Sequence, residues 1–191
     1  MAVAVDASVT VKGSPVRSLQ KFIDAELTSE QRATVLRSLP PEYAERVGRV
    51  ILATETIPVH ALNQLTEAAA KARHEPVEQF ARRAGRQGAE DAIKGIYRFF
   101  ATLMTPAGLL AKATSMWSSL YNRGRLEVFD QKDTSAHLRL VDFPSEIAGC
   151  NRVTGWIERM AELTGAKNVH VDQTQCYSKG APHCEWFVRW Q

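Results

Sequence analysis

The chain has 191 residues, 45% hydrophobic, 24% charged and 8% aromatic, with 24 lysines and arginines against 21 aspartates and glutamates for a net charge of +3. These are the proportions of a globular chain able to bury a sizeable core, and they exclude a disordered, collagen-like or membrane-spanning chain. The charge is too mild to direct it to nucleic acid or an anionic membrane.

An extended lead over residues 1–13, with Val9 and Val11 alternating with polar residues, precedes a single expected domain over residues 14–191. Ser14-Pro15 reads as a cap followed by a first-turn proline, opening a helix through Leu19, Phe22, Ile23 and Leu27. Thr28-Ser29-Glu30-Gln31 is a capping box that starts a second helix, and Pro40-Pro41 punctuates it. Pro58 opens a helix through Leu62, Leu65 and Ala69. Glu75-Pro76 begins the longest periodic segment, with Phe80, Ala84, Ala92, Ile93, Ile96, Phe100 and Leu103 on one stripe at helical spacing. Thr105-Pro106 starts the next helix, through Leu109, Leu110, Trp117 and Leu120.

From Arg125 the period changes to two. Leu126, Val128, Ala136, Leu138 and Leu140 alternate with polar residues on either side of Asp130-Gln131-Lys132-Asp133-Thr134, a hairpin pattern. Pro144-Ser145 opens a helix through Ile147, Val153, Trp156, Ile157 and Met160, which Thr164-Gly165 closes. Val169 and Val171 read as a strand, residues 178–182 as a turn, and residues 185–190 as a closing strand. The predicted class is α+β: N-terminal helices packed on a four-stranded antiparallel sheet of β-β-α-β-β order.

Enzymatic motifs are absent: no phosphate-binding loop, dinucleotide fingerprint, nucleophile elbow or His-Glu-x-x-His helix occurs, so no enzyme is expected. Gly85-Arg86-Gln87-Gly88 follows no strand and reads as close helix packing. Arg82, Arg83 and Arg86, diluted by Glu78, Glu90 and Asp91, read as a solvated face ahead of a partner-binding patch. The first residues lack a basic, then apolar, leader pattern, and the three cysteines are an odd number, so a reducing cytoplasm is the expected compartment.

Those cysteines form the strongest constellation. Cys176 and Cys184 flank the last turn, and Cys150 lies on the preceding helix. Three thiolates could hold a structural zinc, with Asp172 as fourth ligand by strand parity, Gln173 pointing away unless a bulge intervenes, and His183 facing the opposite side. The alternative is that all three are small buried hydrophobes.

The segments Gly124-Arg125-Leu126-Glu127-Val128, Gly165-Ala166-Lys167-Asn168-Val169 and Gly180-Ala181-Pro182-His183-Cys184-Glu185-Trp186 resemble a domain-of-unknown-function family expanded in myxobacteria. Lys12-Gly13-Ser14 and Gly95-Ile96-Tyr97-Arg98 fit it too, so the resemblance covers nearly the whole chain. That family is similar in fold to the 4-vinyl reductase domain, the haem nitric-oxide-binding domain and the TRAPP vesicle-transport subunits. The first of these includes phenol-sensing domains whose zinc site uses a cysteine, then Glu-x-x-Cys-x7-Cys. The cysteine spacing matches here, with Gln173 at the glutamate position.

Haem-binding relatives use a histidine on the helix before a Tyr-x-Ser-x-Arg motif. This chain keeps Tyr121 and Arg125 of that motif but has no histidine between His74 and His137, so no haem is expected. Tyr97, Phe100, Trp117 and Trp156 gather where the resemblance places a pocket, and are otherwise core. The implied function is a non-catalytic sensing or regulatory domain that takes a small apolar or aromatic molecule. The alternative is a TRAPP-like interaction adaptor with a filled or lipid-holding cavity. Long apolar helices and paired relatives make a homodimer the expected assembly; neither direct nucleic-acid binding nor a membrane span is expected.

Overall fold

The computed structural model describes residues 8–94, 99 and 101–191. It is a mixed α+β structure in which seven helices, among the described residues, accompany two antiparallel sheets. The lead is built into the fold. Strand β1 (Thr10–Lys12) pairs with β2 (Thr56–Pro58), placing Val11 opposite Ile57 with both fully buried. Helix α1 (Gly13–Glu26) follows without a break. Its cap is the extended Lys12 rather than Ser14, because the chain turns at Gly13 against the segment ahead of β2. A Cβ on Gly13 would come within 2.0 Å of the Leu52 carbonyl oxygen, and the Gly13 N–H donates to the Glu55 carbonyl at 2.7 Å.

Helix α2 (Ser29–Ser38) carries the expected capping box, Thr28 and Gln31 each accepting from the other's backbone. Helices α3 (Pro41–Val47), α4 (Val59–Ala72) and α5 (Val77–Ala92) are each preceded by an extended proline, whose fixed φ sets the entry angle. The long apolar stripe does not make one helix: α5 ends at Ala92, where Ile93 leaves helical geometry. Ile96, Tyr97 and Phe100 lie outside the described residues. Helix α6 (Pro106–Leu120) starts as expected, with Thr105 accepting from the Gly108 N–H.

Strands β3 (Arg125–Lys132) and β4 (Ser135–Val141), helix α7 (Ile147–Leu163), and strands β5 (His170–Gln175) and β6 (Cys184–Arg189) complete the chain. The four strands form one antiparallel sheet in the spatial order β3-β4-β6-β5. Alternation decides its faces: Ala136, Leu138 and Leu140 of β4 and Cys184, Trp186 and Val188 of β6 are buried, Leu138 opposite Trp186 and Leu140 opposite Cys184. Helix α7 lies over this face, and the Trp186 indole N–H donates to Thr154 at 2.8 Å, satisfying two polar groups inside the core.

Helices α5 and α7 cross at two glycines. A Cβ on Gly85 would stand 2.0 Å from the Arg152 carbonyl oxygen, and one on Gly155 would stand 1.9 Å from that of Arg82. The arginine cluster of α5 is partly solvated, as expected, and is also paired. Arg82 pairs with Glu158, Arg86 with Glu158 and Glu162, and Arg83 with Glu26 and Glu75, stitching α5 to α7, α1 and its own N-terminal turn. One continuous core runs from Val9 to Trp190.

Candidate functional site

A cavity of about 350 Å³ lies between α1, α4, α5, α6, α7 and the first two strands of the sheet. Leu19, Leu62, Ala84, Leu126, Leu140 and Val153 supply its apolar wall. The aromatic wall comes from the end of α6: Trp117 and Tyr121 stack with centroids 4.1 Å apart, and Phe143 meets both edge-on at 5.0 and 5.5 Å. Trp117 is locked by its indole N–H, which donates to the Arg123 carbonyl. Trp156 enters from α7 beside Gly88, its ring 3.8 Å from where a Cβ on that glycine would stand. Of the four aromatic residues singled out in the sequence, Trp117 and Trp156 therefore line the cavity. Tyr97 and Phe100 fall outside the described residues.

Two charged residues reach the lining. Asp91 accepts from Ser18 at 2.7 Å and pairs with Lys94. Burial works to raise its carboxyl, but the bonds from Lys94 and Ser18 outweigh that and hold it below the ordinary value. Arg152 is half-buried and is among the residues lining the cavity. Burial pulls its pKa below that of a free guanidinium, against the opposing fields of Tyr121 and Glu146. Burial likewise raises the Tyr121 phenol.

Arg152 ends a polar chain that was not legible in the sequence. Its Nη1 and Nη2 donate to Thr66 at 2.8 Å and to Asn63 at 2.7 Å. Asn63 in turn donates to Glu146 at 2.7 Å, and the other Glu146 oxygen meets His60 Nδ1 at 3.0 Å. The one clue was Asn63, a polar residue on the apolar face of α4 between Leu62 and Leu65, now only 1% exposed.

On the far side of α7 the three cysteines converge. Cys150 Sγ lies 3.3 Å from Cys184 Sγ and 3.7 Å from Cys176 Sγ, all three are buried, and the sulfurs lie within 4.8 Å of one another. The Cys184 thiol is held down to about 6, first by its hydrogen bond with Cys150 and, against burial, by Ser145 and the Tyr177 N–H. Cys150 is pushed up, by Cys184 first and by burial second. The pair thus shares one proton between Cys184 and Cys150, and three sulfurs at this spacing could hold a metal ion.

Asp172 is not part of it. Its carboxylate is mostly exposed and takes a hydrogen bond from Arg189 at 2.9 Å. The register of β5 against β6 shifts between Gln173 and Gln175, a bulge that turns Gln173 inward instead. The Gln173 amide approaches Cys150 without reaching hydrogen-bond geometry, and its Nε2 is buried without a partner. His183 sits with Glu185, away from the sulfurs.

No protein-family model and no curated protein matches the sequence. Solved structures do match. An H-NOX protein from S. oneidensis in the Fe(II)NO ligation state has a TM-score of 0.72 at 15% identity, covering 94% of this chain and 99% of that one. An Fe(II) unliganded H-NOX protein from K. algicida gives 0.71 at 10%, covering 94% and 96%. An oxygen-binding H-NOX domain related to soluble guanylate cyclases gives 0.63 at 13%, covering 94% and 92%.

The chain therefore shares the H-NOX fold. The expectation of no haem is overturned here, because the structures that share the fold over nearly the whole chain are iron(II) proteins. The missing histidine on the expected helix had carried that expectation, yet imidazole is one of several axial donors. The cavity suits such a group in part: it has an apolar, aromatic slot, with Met116 and Tyr121 as iron-donor types and a cation in Arg152, while among the described residues no histidine lines it.

Proposed function

We propose that this domain is a non-catalytic small-molecule sensing or regulatory module whose ligand, an apolar or aromatic molecule, occupies the cavity between the helices and the sheet. The observation that carries the reading is the cavity itself, about 350 Å³ of largely apolar and aromatic lining with a few convergent polar groups, the usual form of a ligand site. A sensing role also agrees with the H-NOX fold, and it requires no catalytic residue. In this reading Trp117 and Trp156 form the pocket wall, and Tyr97 and Phe100 are its proposed continuation.

Native mass spectrometry of the purified chain tests it directly, joined by titration with haem followed at the Soret band and with naphthoate followed by tryptophan fluorescence. Retained ligand mass, or saturable binding that Trp117→Ala weakens while the circular dichroism stays native, supports the reading. A chain that binds none of these, with a solved structure whose cavity is closed by its own side chains, overturns it.

Cys150, Cys176 and Cys184 are proposed as a structural site for one soft divalent ion, since three thiolates leave a poor Lewis acid. The module is further proposed to act as a homodimer, so light scattering is expected to return twice the chain mass; the mass of a single chain at micromolar concentration refutes it.

A further inference from the structure

We infer that Trp156 of α7 is the gate of the cavity: its indole ring swings over Gly88 of α5, between helices that stay fixed, and ligand enters and leaves past it. The inference rests on the reading of the cavity as a ligand site and names the residue that controls exchange. The chain has four tryptophans, and three of them are held by their indole N–H groups. Trp117 donates to the Arg123 carbonyl at 3.2 Å, Trp186 to Thr154 at 2.8 Å and Trp190 to the Asp133 carbonyl at 3.0 Å. The Trp156 N–H meets no acceptor among the described residues, and no ring of those residues stacks on it. Apolar contact alone holds this ring, because an indole offers one polar handle and here that handle is free.

Open space lies beside it. Around the position that a Cβ on Gly88 would take, the Trp156 ring edge at 3.8 Å is the one neighbour within 4 Å outside α5. Gly88 and Trp156 are both half-buried while they line the cavity, and Ala92, one turn farther along α5, lines it and is exposed. This stretch is therefore rim rather than floor. Trp117 makes the contrast: its stack on Tyr121 and its edge contact with Phe143 leave it a fixed wall.

The helices on either side are pinned. Gly85 and Gly155 bring backbone against backbone, and beyond that crossing Arg86 pairs with Glu158 and Glu162 and Arg159 with Glu90. A molecule that fills about 350 Å³ does not pass through close-packed walls, so exchange requires a group that moves. A rotamer change of one side chain is the least costly such motion. Trp156 combines a free polar edge, a place on the rim and space to turn into.

The test is stopped-flow binding of naphthoate to the full chain, followed by tryptophan fluorescence. Losing a residue that only contacts ligand raises the dissociation rate, whereas losing a gate raises the association rate as well. Trp156→Ala is expected to raise both rate constants about tenfold. Gly88→Ala, whose methyl takes up the space the ring turns into, should lower both. Trp117→Ala, at the fixed wall, should change dissociation alone. Should Trp156→Ala fail to fold, wild-type protein labelled with 5-fluorotryptophan decides. Its Trp156 fluorine resonance, assigned with Trp156→Phe, is expected to be broadened by exchange and to sharpen with naphthoate. An association rate unchanged in Trp156→Ala, or fluorine resonances that are all equally sharp, overturns the inference and leaves the cavity reading standing. Wild type that binds neither naphthoate nor haem overturns both.

Discussion

Gln173 puts a neutral amide beside Cys150, at a place from which a fourth donor can approach the three sulfurs. An amide oxygen is a weak ligand for a soft ion beside thiolates, whereas a carboxylate is a good one. Gln173→Glu is therefore expected to tighten metal binding at Cys150, Cys176 and Cys184, and to lower the melting temperature of chelator-treated protein, because an unpaired carboxylate would then be buried beside thiols. Asp172→Ala should leave metal content unchanged and cost at most about 1 kcal/mol, since it removes only an exposed pair with Arg189. Metal per chain by mass spectrometry, with melting curves before and after chelation, checks both; equal metal retention in wild type and Gln173→Glu counts against the placement. The cysteines were legible because a turn and a packed helix bring them together at any reasonable register. The fourth position was not, because a single bulge between Gln173 and Gln175 reverses the strand parity on which Asp172 had been chosen.

The crossing of α5 and α7 shows what two glycines do when only one of them is at the contact. At Gly85 an added methyl meets backbone, the Arg152 carbonyl, which cannot swing aside. At Gly88 it meets nothing closer than the Trp156 ring at 3.8 Å. Gly85→Ala and Gly155→Ala should each cost about 1–3 kcal/mol or more by forcing the helices apart. Gly88→Ala should gain up to about 1 kcal/mol from helix propensity alone. Urea denaturation of the three variants checks this, and a Gly85→Ala as stable as wild type would mean the helices do not lie this close. The sequence carried the glycine spacing but not which glycine faces the partner helix. The same crossing sets the acid response. Glu162, held below its ordinary value of 4.5 against burial by Arg86 and Arg159, binds protons less readily folded than unfolded. Its contribution is present above pH 4.5 and is lost as pH falls through its depressed folded value. Glu26 and Glu185 shift the same way. Melting temperature should therefore be flat near neutrality and fall below about pH 4.5, with Arg86→Met flattening part of that fall.

At the scale of the molecule, most of the helix and strand order could be read from periodicity, because most elements follow one period, several of them behind Thr28, Thr105 or a proline, whereas the short α3 and β2 offer too few residues to show one. The cavity could not, since it is a property of five helices and a sheet together, and its polar end depends on Arg152, Asn63 and Glu146 meeting from two elements distant in the chain. A folded chain that keeps about 350 Å³ open gives up packing that it could otherwise have. A ligand restores it and, binding the native state alone, stabilises by about 2.7 kcal/mol at a hundredfold excess over Kd. For a chain of this length that is a rise of about 5–11 °C in melting temperature. Filling the void from within should produce the same gain without a ligand. Gly88 is the position for it, because its Cβ direction is open apart from the Trp156 ring. Gly88→Leu is expected to raise the melting temperature of the ligand-free protein and to abolish the shift that naphthoate produces in wild type. A variant that melts lower yet still responds to naphthoate would place the binding site somewhere other than this cavity.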